Sequence, residues 1–136
     1  MRKKSYEGWT TQLVENLAVY FDLAGWNMLI KWDDEDKKED GPETYATIAV
    51  NSVYQTATIT FMRAARQDYL EETVDRLIQA TTHEFVHVFL DPFQDAMHPF
   101  LSITSTPAFM NIVETQTQKL AMVFLKTLPQ SVIPPR

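Results

Sequence analysis

Two of the three histidines stand four residues apart in Thr81-Thr82-His83-Glu84-Phe85-Val86-His87-Val88-Phe89. On an α-helix, positions i and i+4 lie one above the other on the same face, so two imidazoles can bind one metal ion. Glu84 is then turned by about 100° around the axis, near enough to reach a metal-activated water without being a ligand. A fold that realises this helix must bury its opposite face and complete the ligand set from elsewhere.

The spacing predicts a helix from about Asp68 to Leu90. With His83 taken as zero, Val74, Leu77, Ile78, Phe85, Val88 and Phe89 cluster on the far side, while His87 falls within about 40° of His83, beside Arg76 and Ala80. Val86 and Leu90 flank the histidine side. Histidines inside an apolar stripe are usually core residues, and histidines on a polar face are usually solvated. These two lie opposite the core but beside apolar neighbours, which suits the floor of a cleft.

The rest of the chain supplies a small α+β frame. Leu13, Val14, Leu17, Ala18 and Phe21 fall at helical spacing and predict a first helix from about Trp9 to Ala24, capped by Thr10 or Thr11 and ended by Gly25. Trp26, Met28, Ile30 and Trp32 alternate as in a half-buried strand. A hairpin is expected between Thr44 and Met62, with arms Tyr45–Val50 and Tyr54–Phe61 joined near Asn51-Ser52. Its second arm alternates Ala57, Ile59 and Phe61 with three threonines. Its edge is able to pair with an extended peptide, although an ordinary sheet face reads equally well. The run 33–42, from Asp33 to Pro42, mixes acidic and basic residues and reads as an exposed loop rather than a calcium site, because it lacks the glycine-and-glutamate pattern of one. Asp91-Pro92 is expected to end the active-site helix. A last helix is expected to start with Thr106 as cap and Pro107 at its first position, and to bury Phe109, Ile112, Val113, Leu120, Ala121 and Phe124. The proline-rich tail 129–136 is expected to be extended.

Length and composition exclude several classes. The 136 residues suffice for one domain with a real core. There is no cysteine, hence no disulfide framework and no thiolate ligand. The net charge is −6 and the basic residues form no stripe, which disfavours nucleic acid and suits a basic partner. No apolar run is long enough to span a membrane, and Glu15 and Asn16 interrupt the region where a secretory signal needs its apolar core. A cytoplasmic setting is expected.

A catalytic zinc takes three protein ligands and keeps one position open. Without cysteine, the third must be His, Asp or Glu. Glu114 is the first candidate, as an acid at the border of the last helix's apolar stripe. His98, in the long connection after Pro92, is the second candidate, or else a stabiliser of the oxyanion. Asp91, eight residues from His83, is the third. Tyr54 and Tyr69 are further candidates for the oxyanion.

The stretch from Ala80 to Phe89 resembles the zincin signature, and the downstream helix with Glu114 is similar to the gluzincin branch. The order of helix, strands, active-site helix and glutamate helix resembles the minimal metallopeptidase domains of phages and mobile elements, and the metalloproteases that cleave phage-type repressors. That resemblance implies a zincin-like fold and a zinc-dependent peptidase acting on a peptide or protein. Many gluzincins carry an aspartate four residues after the ligand glutamate; here Gln118 stands in its place. The expected reaction is peptide hydrolysis by a metal-activated water, with Glu84 as general base. The alternative is a catalytically silent binding module that docks a partner in its cleft or on its sheet edge.

Overall fold

The computed structural model describes residues 3–34, 45–97 and 106–136. Helix α1 (Tyr6–Tyr20) leads into strand β1 (Asn27–Asp33), then β2 (Ala46–Asn51), β3 (Thr56–Met62), α2 (Arg63–Leu70), α3 (Val74–Met97), α4 (Thr106–Thr127) and a short 3-10 turn, Gln130–Val132. The strands form a mixed sheet in the order β1-β3-β2, in which β1 and β3 are parallel while β2 and β3 form the antiparallel hairpin. The expected α+β architecture of helices and about three strands is thus present.

Alternation along β3 decides which face the helices cover. Ala57, Ile59 and Phe61 are buried, and the threonines between them are half-buried on the other face. Register extends this pattern sideways: Ile30, Ile59 and Ile48 form one row across the sheet, and Trp32, Phe61 and Ala46 the next. Residues of α1, α2, α3, α4 and the tail join these side chains in one apolar core. Strand β2 is an edge of the sheet, and it is the strand that lies against α3.

Both helix stops on the way to the site are written in acidic residues. At the end of α1, Leu23 N–H donates to the Ala18 carbonyl and Asp22 N–H to that of Val19, with Asp22 at φ 59°. At the end of α2, Thr73 N–H donates to the Asp68 carbonyl and Glu72 N–H to that of Tyr69, with Glu72 at φ 63°. Each is a Schellman closure, whose left-handed position usually holds glycine. Gly25 therefore does not end α1, and the helix expected from Asp68 to Leu90 is two helices separated by residues 71–73. The start of α1 also differs. Ser5 is the cap, accepting from Gly8 N–H, whereas the Thr10 and Thr11 hydroxyls donate back to carbonyls of Tyr6 and Glu7 inside the helix.

Pro92 does not end α3, which continues to Met97. A proline inside a helix removes one backbone hydrogen bond and costs about 3 kcal/mol, which the remainder of a 24-residue helix can absorb. Of the far-side residues expected on α3, Leu77, Ile78, Phe85 and Val88 are buried, but Phe89 is 52% exposed and borders Phe21 and Phe124 edgewise. On α4, Val113 and Ala121 are buried as expected, Thr117 joins them, and Ile112 is 59% exposed.

Short side chains make up much of what α3 and α4 bury. Thr81, Thr82 and Thr117 have no exposed surface, and each hydroxyl donates to the carbonyl four residues earlier in its own helix. A threonine so satisfied is buried without an orphaned polar atom, and its small volume permits close approach of the two helices.

The tail is folded rather than extended. Val132 and Pro134 are buried, with the Pro134 carbonyl accepting from Trp9 Nε1 and the Val132 carbonyl from Asn16 Nδ2, each at 2.9 Å. Of the charged loop, Asp33 closes β1 and Asp34 bonds Arg66; residues 35–44 lie outside the described residues. No described helix is long and apolar enough to cross a membrane.

Candidate metal centre

Helix α3 presents His83 and His87 one turn apart, with ring centroids 4.9 Å from each other. Helix α4 runs antiparallel to it, as the partners show: His83 faces Glu114 and Gln118, while His87 faces Glu114 alone. His83 Nε2 lies 2.9 Å from Glu114 Oε1, and His87 Nε2 lies 3.3 Å from Glu114 Oε2. One ligand atom from each of these three residues falls within 4.8 Å of the others. The packing of two helices thus brings Glu114 to the histidine pair. Asp91 is not in that group, and His98 lies outside the described residues.

The donor set is chemically suited to a zinc ion. Two imidazole nitrogens and a carboxylate oxygen are ordinary ligands at about 2.0–2.2 Å, which for a tetrahedral ion puts neighbouring ligand atoms about 3.3 Å apart. His83 lies 2.9 Å from one Glu114 oxygen and His87 3.3 Å from the other, so the carboxylate spans both rings. Gln118 Oε1 lies 2.8 Å from His83 Nδ1. With its proton on Nδ1, His83 donates to that oxygen and keeps a lone pair on Nε2 for an ion. Gln118 is thus placed to orient the His83 ring through an uncharged amide oxygen.

Burial governs the electrostatics of the site. Burial pushes the Glu84 carboxyl up to about 8, and the negative charge of Glu114 adds to the effect. Burial also holds the His87 imidazole below its usual value, more than Glu114 raises it, which favours the neutral ring a metal requires. The His83 and His87 side chains are 17% and 22% exposed, and Glu114 is 59% exposed, so the centre opens to solvent on the α4 side.

Glu84 stands where two clefts meet, and both run between α3 and edge strand β2. The larger, about 360 Å³, extends past His87 to Asp91 and Gln94, with Ala46, Thr47, Ile48 and Val50 as its opposite wall. The smaller, about 270 Å³, extends past His83 to Arg76 and Gln79, with Tyr45 and Ala46 opposite. Tyr54 sits 77% exposed near the hairpin turn and lines neither cleft. Tyr69 is buried against Tyr6 and Trp9, with its hydroxyl donated to the Lys4 carbonyl. That commitment to the core removes it as an oxyanion donor.

Gln94 escapes a sequence reading that stops the helix at Pro92. Once α3 continues, Gln94 follows His87 by seven residues, two helical turns, and shares its face. The opposite walls come from β2, the first arm of the expected hairpin, whereas the alternation read from the sequence lies in the second arm, which is the central strand β3. Comparison of the chain with protein-family models, with curated proteins and with solved structures returned no match.

Proposed function

We propose that the protein is a zinc-dependent peptidase, in which His83, His87 and Glu114 hold the ion and Glu84 is the general base. One observation carries this reading: the three ligand groups converge beside a buried carboxyl that lies at the junction of two clefts along the edge strand of the described sheet. A merely structural site has no use for such a carboxyl.

A zinc ion held there would acidify a water and polarise the scissile carbonyl. Glu84 takes the proton of the attacking water and hands it to the leaving amine. Burial raises the proton affinity of Glu84, and a cation beside it would lower that affinity toward the value a general base needs. Gln118 fixes the ring of His83 through Nδ1. The backbone of β2 along the clefts offers its unpaired edge to an extended peptide, which aligns the substrate over Glu84.

The test is metal analysis of the purified protein together with cleavage of a degenerate peptide mixture. One zinc per chain is expected, with turnover that disappears in Glu84→Gln while the zinc remains. Turnover that survives the substitution overturns the mechanism. Zinc without any turnover in the native protein would instead favour a silent binding module.

A further inference from the structure

The two arms of the groove differ in charge, and the difference specifies a class of substrate. The arm past His87 carries Asp91 on its lining, with Asp95 one turn further along α3. At its far end the hairpin turn closes on the helix, where Ser52 Oγ donates to Asp95 Oδ2 at 2.8 Å. Among the described residues, no lysine or arginine is ion-paired with either aspartate. Burial and the neighbouring charge of Asp95 both raise the Asp91 carboxyl above its usual range. The arm past His83 carries Arg76 instead.

A second observation points to a ligand in the same arm. Gln94 lines it, and its Nε2 has under 1 Å² of exposed surface and no hydrogen-bond partner. A buried donor left unpaired costs about 1–3 kcal/mol, so such groups are rare. The other orphan among the described residues, the Tyr6 hydroxyl, is enclosed beneath the Arg66 guanidinium, whereas Gln94 borders an open groove.

We propose that the arm past His87 selects a substrate residue with a basic side chain, with Asp91 as its counter-charge and Gln94 holding a main-chain carbonyl. This rests on the groove being the substrate site of the proposed peptidase. From the metal ligands, Asp91 lies about 6–12 Å along the helix axis, and an extended chain advances about 3.3 Å per residue. The basic residue therefore sits about two to four positions from the bond that is cut. The acidic net charge of the chain draws such a peptide in from solution.

The test separates binding from turnover. Zinc-loaded Glu84→Gln protein is immobilised and offered two pools of degenerate ten-residue peptides, identical except for lysine or glutamine at one position, and retention is read by mass spectrometry. Lysine is expected to be retained about ten-fold better than glutamine, with the ratio falling as salt is raised. Asp91→Asn should remove the preference, Asp91→Glu keep it, and Asp91→Lys turn it toward acidic peptides. Gln94→Leu should weaken both pools alike. Native protein cutting the same pools should place lysine about two to four residues from the cut. Equal retention of the two pools, or a lysine preference that survives Asp91→Asn, overturns the proposal. Cleavage without a basic preference overturns it too and leaves the peptidase standing. Lysine selection without cleavage supports it and removes the peptidase.

Discussion

The Arg66 cluster and the metal centre handle charge in opposite ways. Arg66 lies between two acids, with Nη2 at 2.7 Å from Glu7 and Nε at 3.0 Å from Asp34, and its guanidinium covers the Tyr6 ring at 4.5 Å. Further along the same helix, Trp9, Leu13 and Leu17 have no exposed surface. Every charge of this cluster has its partner within the fold. Where α3 meets α4, Glu114 pairs with two imidazoles instead of with a lysine or arginine, and the buried Glu84 carboxyl lies beside them. The first arrangement ties three elements together through charge; the second gathers groups able to bind an ion or move a proton, and perturbed groups gathered in a cleft are the more informative sign of function.

Substitutions should separate the two regions. The largest effect is expected for Glu84→Gln, which should lower kcat/KM by about 10²–10⁴ with bound zinc and unfolding midpoint retained. Next is Leu13→Ala, which leaves a cavity in the apolar core that α1 buries. A loss of about 2–5 kcal/mol in urea unfolding is expected, with zinc stoichiometry unchanged in the folded fraction. Gln118→Leu comes third. It frees the His83 ring and should weaken zinc binding about 10–100-fold in a competition titration, without touching the apolar core.

Opposite responses to pH make the finest distinction. In the metal-free protein, the Glu84 carboxyl is raised from 4.5 to about 8, so the folded state holds a proton that the unfolded chain has lost. Stability should fall as pH rises through that window, and Glu84→Gln should flatten the slope. For Glu7 the sign reverses. Its hydrogen bond to Arg66 holds the carboxyl below 4.5, so its contribution is present above that pH and is lost as pH falls through the lower folded value. A thermal-unfolding series on native protein, Glu84→Gln and Glu7→Gln reads both, and slopes of the same sign would contradict the comparison. The Glu7 effect should be the smaller, since the pair is partly exposed.

Helical and strand periods placed the histidine pair with Glu84, the half-buried strand Asn27–Asp33 and the hairpin, because each is a relation between residues a few positions apart. Glu114 was within reach only as a border acid on a second amphipathic helix, and its rank above Asp91 came from counting ligands. Boundaries were missed wherever an unusual residue took a standard role. Asp22 and Glu72 occupy left-handed stops that a reader assigns to glycine, and Pro92 is carried inside a helix it was expected to end. The last of these hid Gln94 and the far half of the groove.

What the amino-acid order determines alone is the set of groups each helix and strand displays on each face, since backbone geometry repeats over a few residues. What packing adds is which of those faces meet. Antiparallel contact of α3 and α4 brings Glu114 and Gln118 to His83, and the crossing of α3 behind β2 turns a row of helix residues into a groove with charged ends. Those relations join residues some thirty or more positions apart, and no local period encodes them.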